Sequence, residues 1–204
     1  MESKEYLEAF QIASDLLKEI NSYSLITPIN SIINEYNIQL IAYSDLAGDI
    51  SNNEALKKVT GFLCFYNEQY YIVYDDRGNI GRIRWTLAHE LGHFFLGHDS
   101  KSNTQDYDKQ ETSANYFAAQ LLMPMESMSM LYHYYSLTDE LVSSKFNVSL
   151  EAAKYRLDFF IKNAHLHVDI LDRNAMDACQ PIVLRSLSDK NNLSYMKFAP
   201  LIKS

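Results

Sequence analysis

Tyr6, Ala9, Phe10, Ala13, Leu16, Leu17 and Ile20 recur every three or four residues, the spacing that gathers apolar side chains on one face of a helix. The chain therefore opens with an amphipathic helix. Thr27-Pro28, an N-cap followed by a first-turn proline, predicts a second short helix carrying Ile29, Ile32, Ile33 and Tyr36. The pattern then changes. Residues 38–43 read as a strand, and GFLCFY (61–66) and YYIVYD (70–75) flank the polar Asn67-Glu68-Gln69, as the two arms of a hairpin would. A polar loop, 75–81, leads into a helix over LAHELGH (87–93), with Gly97 as its stop. Residues 99–109 read as a polar loop. A further helix is expected from Gln110 to Leu122, ended by Pro124. Residues 125–163 read as helices broken at Asn147-Val148-Ser149, and short strands are possible in HVDIL and PIVLRSL near the end.

At 204 residues and 47% hydrophobic, the chain can bury one good core. The order of elements predicts an α+β domain with a small twisted sheet and a mostly helical C-terminal part. The expected division is 1–124 for the domain that carries the chemistry, 125–164 for a helical support and 165–204 for an extension. A net charge of −8 argues against a surface built to neutralise nucleic-acid phosphates or anionic lipid. No apolar run approaches the roughly 18 residues of a membrane span, and the acidic N-terminus does not read as a secretory signal. Cys64 and Cys179, only two and far apart, read as reduced thiols. The expected compartment is the cytosol.

The candidate chemistry lies in LAHELGH. On a helix, positions 89 and 93 are about 40° apart, so His89 and His93 project from one face and can share a metal ion. Glu90 is displaced from that face, poorly placed as a ligand but able to reach a water at the metal. That is the layout of a zinc hydrolase, in which Zn2+ lowers the pKa of water to roughly 7 and a carboxylate takes the proton. Gly92 leaves room beside the ligand face for another backbone.

A third protein ligand is required. His98 follows His93 by five residues, where the zinc proteases with a third histidine need six, and on a continued helix it would point about 140° away. It reads as a capping or surface histidine. Glu111 is the better candidate, because Glu111, Ala114, Asn115 and Ala118 share a face whose alanines permit close approach to the first helix. Asn115 can accept a ring N–H from a ligand histidine. Tyr107 and Tyr116 are candidate donors to a developing oxyanion.

RIRWTLAHELGHFFLGH (82–98) followed by ETSANYFAAQLLMP (111–124) resembles the ImmA/IrrE family of metallo-endopeptidases, and FNVSLEAAKYRL (146–157) is similar to its weaker helical segment. The resemblance implies a zincin-like fold with zinc held by His89, His93 and Glu111, and Glu90 as general base. It also implies cleavage of a helix-turn-helix transcriptional repressor, as in phage, mobile-element or stress regulons. Two other classes stay open. Residues 138–158 can be read as a DNA-binding helix-turn-helix presenting Glu151, Lys154, Tyr155 and Arg156, although the acidic balance favours a supporting hairpin. A non-catalytic zincin-fold binding protein, such as a toxin-antitoxin partner, is the other; the intact Glu90 argues against it. If a substrate adds to the sheet as a strand, residues 70–75 are the expected edge.

Overall fold

A computed structural model describes residues 4–20, 25–46, 54, 58–98 and 104–163. Cys179 and the strands expected in HVDIL and PIVLRSL lie outside them. The described residues divide into two compact units, one formed by 4–16 with those of Pro28–Leu121, the other by those of Leu17–Thr27 with 122–163.

The first unit carries most of α1 (Lys4–Glu19), whose stripe is buried at Tyr6, Ala9, Phe10, Ala13 and Leu16. Helix α2 (Ile29–Glu35) starts one residue later than expected. Pro28 occupies the N-cap without a side-chain bond, and its carbonyl accepts from Ser31 and Ile32. Asn37, at φ 52°, ends α2 by folding the chain back, with Ile38 N–H donating to the Ile33 carbonyl. Strand β1 (Gln39–Ala42) follows directly.

Strands β2 (Gly61–Tyr66) and β3 (Gln69–Tyr74) form the expected hairpin around Asn67 and Glu68. Both turn residues have positive φ, 47° and 62°, the left-handed pair that matches the twist of a two-residue hairpin. The sheet order is β1-β3-β2, with β1 parallel and β2 antiparallel to β3. Residues 70–74 are therefore central, which corrects the expectation that this stretch forms the open edge. Chain order placed it next to the following helix, but β1 pairs along its other side.

Helix α3 (Ile80–Phe95) is capped by Asn79, whose side chain accepts from Arg82 N–H at 2.9 Å. Leu87, Ala88 and Leu91 face the core. Helix α4 (Thr104–Leu122) begins six residues before the expected Gln110. Its first turns, Asp106 to Lys109, are exposed, so they carry no apolar periodicity to mark them as helical. At its other end Phe117 and Leu121 are fully buried.

The described part of the second unit is helical: α5 (Met125–Tyr134), α6 (Asp139–Phe146) and α7 (Leu150–Asn163). Thr138 caps α6, Asn147 closes it at φ 52°, and Ser149 accepts from Ala152 N–H to start α7. Leu141, Phe146, Val148, Ala152 and Leu157 are all buried, as the contact core of a supporting hairpin would be. Among the described residues no helix is long and apolar enough to cross a membrane.

Candidate metal centre

Helices α3 and α4 meet where neither has bulk. A Cβ on Gly92 would stand 3.0 Å from both Cα and O of Ala114. Ala114 and Ala118 are fully buried. This close approach brings Glu111, one turn before Ala114, over the histidine face of α3.

There the donors converge. His89 Nε2 lies 3.0 Å from His93 Nε2, and each is 3.3 Å from one oxygen of Glu111. One ligand atom from each of the three residues lies within 4.8 Å of the others, so the group can hold a metal ion. Two imidazole nitrogens and a carboxylate are donors suited to a divalent transition ion. The histidine side chains are 14% and 15% exposed and Glu111 33%, so the cluster is reached from solvent on the α4 side. Hydrogen bonding from His89 and His93 holds the Glu111 carboxyl well below the usual carboxylate range. For His89, burial opposes the charged ring, but Glu111 and Glu90 outweigh it and the pKa rises.

The histidines are also held from behind. His89 Nδ1 is 3.0 Å from Asn115 Oδ1, the contact foreseen from the shared face of α4. His93 Nδ1 is 2.9 Å from His98 Nδ1. The sequence placed His98 away from His93, on the assumption that the helix ran on. Instead α3 stops at Phe95, Gly97 takes φ +64°, and His98 N–H donates back to the His93 carbonyl at 3.0 Å. Gly97 N–H bonds the Phe94 carbonyl at 3.2 Å, completing a left-handed helix end that returns the chain over its last turn. Gly97 was legible as a stop; the reversal it causes was not. Burial pushes the His98 imidazole down to about 4.

Phe94 and Phe95 anchor the same end of α3. Tyr70 meets Phe94 edge-on at 4.9 Å, Tyr36 meets Phe95 at 4.7 Å, and Phe117 of α4 stacks on Phe95 at 5.6 Å. His93 therefore sits on a turn that packing prevents from fraying.

Glu90 is 6% exposed, and burial pushes its carboxyl up, towards a stronger proton acceptor. Its carboxylate accepts a hydrogen bond from the Leu63 backbone N–H. Register explains this partner. In a two-residue hairpin Tyr66 and Gln69 exchange main-chain bonds, as do the pairs 64/71 and 62/73, so the N–H and C=O of Gly61, Leu63 and Phe65 point away from β3. Gly61 lets β2 lie close against α3: a Cβ there would stand 2.5 Å from Thr86 Cγ2. Thr86 also bonds Thr60 at 3.1 Å. The role of β2's backbone was not foreseen, because nothing in side-chain chemistry marks it.

Of the two tyrosines, Tyr107 is half-exposed and hydrogen-bonded with Glu111, whose charge raises its pKa. Tyr116 instead packs edge-on against Tyr6 at 5.0 Å.

Comparison with known proteins agrees with this geometry. Residues 49–158 match the Peptidase M78 family, described as the IrrE N-terminal-like domain. No curated protein matches the chain. Among solved structures, a Mycobacterium tuberculosis transcriptional regulator is similar at 13% identity and a TM-score of 0.46, over 76% of this chain and 47% of that one. This chain thus spans about half the length of that regulator, and the likeness is too slight to carry an argument. The family match takes in more than half of the 204 residues and both helices of the candidate centre, and the chain belongs to the Peptidase M78 metallopeptidase family.

Proposed function

We propose that the protein is a zinc-dependent endopeptidase in which His89, His93 and Glu111 hold the metal and Glu90 is the general base. The observation that carries this reading is the convergence of the three donors beside a buried glutamate on the same helix. Bound there, zinc would supply Lewis acidity, polarising the peptide carbonyl and making water a better acid.

The protein's own groups do the rest. Glu90 takes a proton from the attacking water as its oxygen bonds to the carbonyl carbon, then delivers that proton to the amine released when the C–N bond breaks. The Leu63 N–H fixes the Glu90 carboxylate, so little reorganisation is needed before transfer. Tyr107, exposed beside Glu111, is the better placed of the two tyrosines to donate to a developing oxyanion.

Substrate lies along the outer edge of β2. The Leu63 carbonyl and the Phe65 N–H and carbonyl are directed there by register, and an extended peptide paired with them would pass Glu90. Phe65 and Tyr66, 60% and 66% exposed, offer apolar contact at the hairpin end. The substrate is a helix-turn-helix repressor and the setting is the cytosol, where a free thiol such as Cys64 is ordinary. Family resemblance supports the repressor.

The DNA-binding alternative loses one of its four proposed contacts. Arg156 is 3% exposed and donates to the Met123 carbonyl at 2.9 Å, so it is not presented to a groove. The experiment is co-expression with any helix-turn-helix repressor found encoded near this gene: the reading expects a shortened repressor with one new N-terminus, and an intact repressor under zinc-replete conditions contradicts that substrate.

A further inference from the structure

We propose that His98 is a positioning residue for His93, accepting the His93 Nδ1 hydrogen and thereby keeping the His93 Nε2 lone pair on the metal site. The inference rests on the metallopeptidase reading and adds to it a residue that the ligand pattern leaves out.

A neutral imidazole has one N–H and one nitrogen lone pair. His93 Nε2 faces the cluster, 3.0 Å from His89 Nε2 and 3.3 Å from Glu111. For that nitrogen to ligate a metal, the hydrogen must sit on Nδ1, and a buried N–H needs an acceptor. His98 Nδ1 stands 2.9 Å away, with the two rings 5.0 Å apart and inclined at 71°. In this arrangement His98 carries its own hydrogen on Nε2. His98 is thus behind His93, on the side opposite the cluster, and is not a fourth member of the donor group.

Symmetry of function supports the assignment. Asn115 Oδ1 stands 3.0 Å from His89 Nδ1, so each ligand histidine has one acceptor at its rear nitrogen. The two acceptors arrive by different routes, one from a neighbouring helix and the other from the same helix's own reversed end. Only the αL turn at Gly97 makes the second route available.

Two variants test this. His98→Leu removes the acceptor at similar bulk, whereas in His98→Asn the side-chain oxygen takes nearly the place of the imidazole Nδ1. Zinc affinity is read by competition with a chromophoric chelator, and the ligand set by the absorption bands of the cobalt(II)-loaded protein. His98→Leu should bind zinc about 10- to 100-fold more weakly. His98→Asn should stay near the parent, both should keep the parent's cobalt bands, and melting of the metal-free protein should not move. Unchanged affinity in His98→Leu, in a parent that holds zinc, overturns the positioning role and leaves the metal site standing. If His98→Asn falls with His98→Leu and the cobalt bands shift, His98 is a ligand and the proposal fails. A parent that binds neither ion overturns both this inference and the metallopeptidase reading.

Discussion

Gly92 and Ala114 face each other so closely that a single methyl on Gly92 would reach 3.0 Å from the Ala114 backbone. The obstacle is main chain, which cannot swing aside as a side chain could. Gly92→Ala should separate α3 from α4, cost about 1–3 kcal/mol as overpacking does, and weaken metal binding by moving Glu111 from the histidines. Denaturant melts with and without zinc check this, and full retention of both stability and affinity would show that the contact does not set the site.

Gly97 separates conformational strain from collision. Nothing lies within 4 Å of a Cβ built there, so a substitution meets only the penalty of φ +64°. Gly97→Ala should lose about 1–2 kcal/mol of stability and some zinc affinity, while Gly97→Asn, which tolerates αL, should lose less of both. Equal losses in the two variants would detach the helix end from the metal site.

Much of the centre was readable because helical geometry is local. Two histidines four apart and a glutamate one turn before Ala114 and Asn115 define faces without knowledge of the rest of the chain, and the structure brings those faces together. What could not be read depends on non-local pairing or chain reversal. The edge of the sheet moved from β3 to β2 because β1, some thirty residues earlier in sequence, pairs with β3. The first turns of α4 read as loop in the sequence because solvent surrounds them and no apolar stripe marks them. Helical extrapolation cannot locate His98, because one left-handed glycine, Gly97, turns the chain back towards His93.

The edge assignment has its own test. Phe65 N–H points away from β3, so Phe65→Pro removes a group available to a docked peptide without deleting a ladder bond. Cleavage should fall while zinc content and circular dichroism stay near the parent. Tyr66→Pro, which breaks a ladder bond to Gln69, should instead disturb the fold. A Phe65→Pro protein that cleaves at the parent rate would remove β2 as the docking edge.

Gly61 links that edge to Glu90. A methyl there would lie 2.5 Å from Thr86 Cγ2 and 3.0 Å from the Val73 carbonyl, pushing β2 off α3 and carrying the Leu63 N–H away from Glu90. Gly61→Ala should slow turnover more than it weakens zinc binding. Calorimetric zinc titration beside a cleavage assay decides; a loss confined to metal affinity would contradict the link.

The central claim is that Glu90 moves the proton and does not hold the metal. Glu90→Gln keeps the side chain's size and removes the base, so one paired measurement bears on it directly: zinc per chain, and the rate at which new N-termini appear in a proteome-derived peptide library. The account predicts near-stoichiometric zinc in both proteins and a rate at least about 100-fold lower in Glu90→Gln. A variant that keeps its zinc and generates the same termini at the parent rate would contradict it.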